Sequence, residues 1–165
     1  MRLILNKNNL NNHPNIRKFY NRWGKNPKNI TELGYSDINQ MIALLKKSKV
    51  LVDFHTGMLY HDNILICASP PLLILEAMSH NLGILSNDLP EIREIITKNK
   101  TGILLEKENP DEIYSALKKL LQNKKMSNAA RKDTIERFDI KKLMPEYEKL
   151  YLEEVNKNDN KKNNL

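Results

Sequence analysis

A single cysteine, Cys67, is the whole thiol content of this 165-residue chain. One thiol closes no internal disulfide, and no Cys/His cluster stands at metal-ligand spacing. A disulfide scaffold and a structural zinc are therefore excluded, and a reducing compartment is expected. Aromatic residues are scarce as well, at 6%, and none alternates with basic residues as in the stacking platforms of single-strand binders. The net charge of +7 is scattered over small pairs such as Lys46-Lys47, Lys118-Lys119 and Lys141-Lys142. It reads as a solvated surface, so no specific nucleic-acid partner is expected. Long apolar runs are missing too. The richest apolar region, residues 64–75, falls short of the roughly 20 residues that cross a bilayer, and residues 1–6 are too short for a signal peptide. The expectation is a soluble, cytoplasmic chain with no transmembrane segment and no internal repeat.

What the chain does have is alternation. With 40% apolar and 28% charged residues, it is long enough for one sizeable core. Residues 2–5 read as a buried strand, 14–23 as a helix and 30–33 as a second strand. Ser36 is placed to cap a helix with Asp37 in its first turn, on which Ile38, Met41, Ile42 and Leu45 share a face. Residues 49–54 read as a central strand, while residues 64–67 suit either a strand or a buried loop between turn signals. A short helix over 72–78, a strand over 83–86, a helix opened by Pro90 and a strand over 101–105 follow. Asn109 with Pro110 behind it opens a helix, and two more cover 126–137 and 141–155, the last restricted by Pro145 to begin near Leu143. Near-continuous apolar strands between helices predict an α/β fold, a single Rossmann-like domain over residues 1–155 with a parallel sheet and helices on both faces. Residues 156–165 read as a disordered polar tail.

One residue stands out within this plan. Glu76 is the only charge in the apolar helix that follows Pro70 and Pro71. A carboxylate among such neighbours either satisfies local donors or faces a cleft and takes a ligand, and chemistry alone leaves both readings open. Other reactive types have simpler readings. Cys67 suits a small core position, His80 a helix end, and Asp88 and Glu91 the acidic start of a helix.

The words Leu72-Leu73-Ile74-Leu75-Glu76-Ala77-Met78, Gly83-Ile84-Leu85-Ser86-Asn87-Asp88, Pro90-Glu91-Ile92-Arg93-Glu94-Ile95-Ile96 and Lys100-Thr101-Gly102-Ile103-Leu104-Leu105 come in a telling order. With Asn109-Pro110-Asp111-Glu112 and Arg137-Phe138-Asp139, the match extends over residues 29–151. Together they resemble the C-terminal, nucleotide-sugar-binding half of GT-B glycosyltransferases of family 4, the glycosyl transferases group 1. The resemblance implies that Glu76 binds the ribose hydroxyls of a nucleoside-diphosphate sugar. It puts the amides of Leu72 and Leu73 at the diphosphate, with Pro71 beside them supplying no N–H. His55, at a strand end, would face the cleft side. The donor is a substrate, so no cofactor and no metal are implied.

The departures limit the reading. The family pattern has two glutamates eight positions apart, and the partner of Glu76 falls on Ala68. Family members also open this domain with a strand and loop bearing an Arg and a Lys for the leaving diphosphate. This chain is expected to begin at the second strand, and Lys98 and Lys100, following a helix, make poor substitutes. No catalytic residue is assigned. The expected activity is retaining transfer of a sugar from a nucleoside-diphosphate sugar to a glycan or lipid-linked acceptor, with a separate acceptor-domain subunit as partner. The isolated chain is expected to be inactive, and any membrane attachment to be peripheral through that partner. The alternative is a non-catalytic nucleotide- or protein-binding module derived from such an enzyme. The last helix, with Leu143, Tyr147, Leu150 and Tyr151 in one stripe, is similar to a segment that packs across the domain junction in relatives.

Overall fold

The computed structural model describes residues 3–6, 30–33, 36–54, 58–60, 63–65, 72–107 and 109–162. The helix expected over 14–23, the residues His55, Cys67, Ala68, Pro70 and Pro71, and the last of the expected tail lie outside the described residues. The chain divides into two compact units, Met1–Lys46 and Lys47–Leu165.

In the first unit, β1 (Leu3–Asn6) and β2 (Ile30–Leu33) pair in parallel, Leu3 opposite Ile30 and Asn6 opposite Leu33. Helix α1 (Ile38–Lys47) follows. Its cap is Asp37, one residue later than the expected Ser36. The Asp37 carboxylate accepts from the Gln40 amide at 2.9 Å, and the Gln40 side chain accepts from the Asp37 amide at 3.2 Å. This reciprocal box satisfies two otherwise orphaned donors, and only the Asp37–Gln40 spacing completes it.

The second unit begins with β3 (Val50–Asp53). A small antiparallel hairpin comes next, β4 (Met58–Tyr60) and β5 (Asn63–Leu65), with Met58 opposite Leu65 and Tyr60 opposite Asn63. The sequence offered one strand or a buried loop here; the pairing of Met58–Tyr60 is what the apolar count alone missed. The chain then runs through α2 (Leu72–Ser79), β6 (Gly83–Asn87), α3 (Pro90–Ile95), β7 (Ile103–Leu105), α4 (Pro110–Gln122), α5 (Lys124–Phe138) and α6 (Ile140–Lys162). Strands β3, β6 and β7 form a parallel sheet in that order, with Val50 opposite Gly83 and Leu85 opposite Ile103.

The centre of this unit is β6, whose Ile84, Leu85 and Ser86 are wholly buried. Alternate residues face opposite layers. Leu85 packs with Ile103, Ala116, Leu120 and Met126, joining the sheet to α4 and α5. Ile84 and Ile96, the latter just past α3, both stand close against Gly102. Helix α2 packs on α5 and against β3 and β6. Each large aliphatic buried here contributes about 2 kcal/mol. The result is the expected α/β, Rossmann-like arrangement with helices over both faces of a parallel sheet.

The helix ends show why the borders fall where they do. Asn109 caps α4 by accepting from the Asp111 amide at 2.9 Å, and Asn123 caps α5 by accepting from the Met126 amide at 3.1 Å. Asp139 accepts from the Lys141 amide at 3.0 Å, so α6 starts at Ile140, earlier than Pro145 suggested, and Pro145 lies inside the helix. Its missing N–H leaves one carbonyl without an intrahelical partner, on a stretch where neighbouring residues are exposed to water. The helix continues to Lys162, so the polar run expected to be disordered is helical that far. No glycine and no second proline interrupts it, and lysine is a good helix former. Among the described residues no helix is long and apolar enough to cross a membrane.

Candidate functional site

Helix α2 carries Leu72, Leu73 and Glu76 together. Ile74, Ala77 and Met78 are fully buried and fix its inner face, Leu73 and Glu76 are half-buried, and Leu72 is 72% exposed. The apolar helix thus emerges from the core at its first residue. Leu72 and Leu73 are the first two residues of α2, where backbone N–H groups have no acceptor within the helix.

The described bonds of Glu76 are made by its backbone. Its carbonyl accepts from the Ser79 hydroxyl at 2.7 Å and from the His80 amide at 3.1 Å. Nδ1 of His80 also lies 2.9 Å from that carbonyl. A carbonyl only accepts, so Nδ1 carries the proton there and His80 acts as a helix-end residue. The Glu76 carboxylate makes no hydrogen bond or ion pair with any described residue.

The exit from α2 is tightly specified. Asn81 takes a left-handed conformation (φ 67°), its amide donates to Met78 at 2.9 Å, and the Leu82 amide donates to Ala77 at 3.0 Å. These are the paired bonds of a Schellman close, with Leu82 almost completely buried behind it. The chain then enters β6 directly at Gly83.

At the carboxyl end of β6 stands a polar cluster that sequence reasoning dispersed. Asp88, read as a helix-start acid, does not cap α3; the cap position is Leu89 with no side-chain bond. Its carboxylate instead accepts from Arg93 Nε at 2.6 Å and from Lys98 Nζ at 2.7 Å, and its side chain is only 3% exposed. The Asp88 amide donates to the Leu105 carbonyl at 2.8 Å, which ties the ends of β6 and β7. The hydrogen bond from Arg93, then that from Lys98, holds the Asp88 carboxyl below its ordinary value against the opposing effect of burial. Lys98 also lies 3.4 Å from Glu106. A lysine so engaged is not a free cation for a diphosphate, which agrees with its reading as a poor substitute. No local spacing announces this cluster, because the topology of β6, α3 and β7 creates it.

Glu91 holds the helix-start place expected of it, but its burial is a new finding. It sits in the first turn of α3 at 8% exposure, and both carboxylate oxygens are buried without a hydrogen-bond partner among the described residues. Burying a carboxylate in this way costs several kcal/mol.

Of the site residues expected from sequence, the structure brings Leu72, Leu73 and Glu76 onto one helix; His55 and Pro71 lie outside the described residues. Two surface hollows of about 550 and 540 Å³ involve none of the three. One lies over α4 around Tyr114 and Lys118, the other around Asn81, Arg131 and Lys142. Neither concentrates groups suited to chemistry. Among the described residues no cluster of His, Cys, Asp and Glu is disposed to hold a metal ion.

The profile of the family described as glycosyl transferases group 1 matches residues 24–137. No curated protein matches the chain. Among solved structures, the chain is similar to Anabaena HepE in complex with UDP, at a TM-score of 0.68 and 14% identity, covering 93% of this chain and 41% of that one. A glycosyltransferase from Rickettsia africae ESF-5 gives 0.64 and 18% identity, covering 93% and 40%. The C-terminal domain of a glycosyl transferase group 1 family protein, LpcC from Francisella tularensis, gives 0.57 and 18%, covering 76% and 62%. At these identities the likeness is one of fold. The chain spans about two-fifths of the length of the first two, 41% and 40%.

Proposed function

Because the chain belongs to the glycosyl transferases group 1 family and shares its α/β fold with GT-B glycosyltransferases, we propose that it is a nucleotide-sugar-binding domain working in glycosyl transfer. The donor is a nucleoside-diphosphate sugar and the acceptor a glycan or lipid-linked sugar held by a separate acceptor domain. Transfer proceeds with retention at the anomeric carbon. The observation that carries this reading is the half-buried Glu76 carboxylate, one turn into a helix whose first amides have no acceptor within it, with no partner for that carboxylate among the described residues. A carboxylate accepts from two neighbouring ribose hydroxyls, and the amides of Leu72 and Leu73 suit the diphosphate. In this reading Pro71 and His55 border the same ligand.

Ala68 stands at the position of the first family glutamate, and Lys98 is held by Asp88. That favours donor binding without turnover by the isolated chain. The same feature supports a second reading, a non-catalytic nucleotide- or protein-binding module.

The test is calorimetric titration with UDP, UDP-glucose and GDP, using Glu76→Ala and Glu76→Gln as controls. Anabaena HepE is solved with UDP, which makes UDP the first probe. Binding that weakens roughly tenfold or more in both variants supports the donor site. Absence of any heat at millimolar nucleotide, with the chain folded, overturns it and leaves the protein-binding reading. Turnover after addition of an acceptor-domain partner separates the two readings that bind nucleotide.

A further inference from the structure

Residues 113–132 hold Lys118, Lys119, Lys124, Lys125, Arg131 and Lys132 and no acid. All six are exposed, and of them only Lys132 has an ion-pair partner among the described residues, Glu136 at 3.7 Å. The fold gathers at one end of the second unit what the sequence scatters. A β-carbon on Gly83, the first residue of β6, would stand 3.2 Å from Leu120, so α4 ends and α5 begins at the amino end of the sheet. Asn81, which closes α2 just before β6, lines one hollow with Arg131, Lys132 and, from α6, Lys142. Lys118 and Lys119 line the other hollow. The start of α2 and Asp88 stand at the opposite end of the sheet.

We propose that this cationic end of the domain is a docking surface for an anionic lipid bilayer, which the chain contacts by itself and not through a partner. The first argument is charge complementarity. Each cation held beside an anionic leaflet strengthens adsorption about fivefold, and here several face one way with a single exposed acid, Glu136, among them. The second is what stands between the cations. Tyr114 is 68% exposed, Leu121 42% and Ile135 44%. On α4, Lys118 neighbours Tyr114 and Leu121 at spacings of four and three, and on α5 Ile135 neighbours Arg131 and Lys132 at the same spacings. This mixture suits the headgroup boundary, where apolar tips enter the acyl region while ammonium and guanidinium groups stay with the phosphates. A nucleic acid fits it less well. A phosphate backbone has no use for Leu121 and Ile135, and Tyr114, the one aromatic in residues 113–132, makes no stacking platform. Adsorption through this end leaves the start of α2 clear, and the inference does not rest on the donor-site reading.

Co-sedimentation of the full chain with phosphatidylcholine vesicles, with and without about 30 mol% phosphatidylglycerol, reads the proposal. The expected result is retention on the anionic vesicles alone at about 50 mM salt and release at about 500 mM. Lys124→Gln with Lys125→Gln weakens retention about 25-fold, whereas Lys149→Gln with Lys157→Gln, the same loss of charge on α6, changes it less than about threefold. Ile135→Ser weakens it about threefold. A chain that stays in the supernatant with anionic vesicles at low salt overturns the proposal, and so does equal retention on phosphatidylcholine alone. Equal losses from the two lysine pairs overturn it by reducing the effect to net charge, and indifference to Ile135→Ser overturns the entry of apolar tips. Binding of a random-sequence DNA duplex at the same low salt without retention on vesicles overturns it in favour of a nucleic-acid partner.

Discussion

The guanidinium of Arg137, at the end of α5, donates to the backbone carbonyl of Ile95, the last residue of α3, across 3.3 Å. A second nitrogen of the same group donates to the carbonyl of Glu94, a third contact reaches Asp133 at 3.0 Å, and the Phe138 ring lies 4.7 Å from the guanidinium carbon. Six residues make a marginal helix, and the carbonyls of Glu94 and Ile95 at its end have no donors within it. Arg137 supplies them from 42 positions away.

Replacing Arg137 with alanine is therefore expected to lower stability by about 1–2 kcal/mol, read from the midpoint of urea unfolding. Lysine recovers less than half of that, because one ammonium does not span two carbonyls and a ring as a planar fork does. Full recovery by lysine argues that only the charge matters.

Glu91 gives a prediction of opposite sign. Its buried, unpartnered oxygens are unfavourable in the folded state, so Glu91→Met, of similar shape and without charge, is expected to raise stability by about 1–2 kcal/mol after loss of a helix-start acid. Thermal unfolding measures it. A destabilised methionine variant means that the carboxylate is satisfied by a group outside the described residues.

Two glycines rank each other. A β-carbon at Gly102 would stand 2.9 Å from Ile96 Cγ2 and 3.2 Å from the Ile84 carbonyl oxygen, a backbone atom with little freedom. One at Gly83 would meet only the Leu120 side chain, at 3.2 Å. Gly102→Ala is expected to cost about 2–3 kcal/mol and Gly83→Ala about 1 kcal/mol. Equal costs in parallel melts contradict the close approach of β7 to β6.

The Asp88 cluster makes stability depend on acid. Its carboxyl is held below the ordinary value of 3.8, so the folded state binds that proton less readily than the unfolded chain. The contribution is fully present above 3.8 and is lost as the pH falls through the lower folded-state value. Asp88→Asn is expected to be less stable than the parent at pH 7, with the gap closing in that acid range. Because Arg93 and Lys98 are 60% and 43% exposed, added salt narrows the gap as well. A gap that persists unchanged at low pH indicates packing and not charge.

How much was legible divides by distance along the chain. Asn109-Pro110 gave the start of α4 because a cap and its amide are two residues apart. The helix of Glu76 was equally readable, since one charge in an apolar turn is a local signal. The shift from Ser36 to Asp37 depended on a side chain three residues on, at the edge of what spacing discloses. Asp88 with Lys98, and Arg137 with Ile95, lay beyond it, because their meeting depends on where β6 and β7 end and on how α5 lies against α3. The hairpin of Met58–Tyr60 and Asn63–Leu65 escaped for a related reason: three-residue strands have too few alternations to declare a period.

The close of α2 at Asn81 has a mechanical meaning for the acid it follows. With Leu82 locked to Ala77 and Gly83 already in the sheet, the connection has no slack. Helix and strand must translate as one body, so Glu76 is presented on a rigid arm. In the proposed donor site, a nucleotide would meet a carboxylate whose backbone is already ordered, and little of its binding free energy would be consumed in fixing that position.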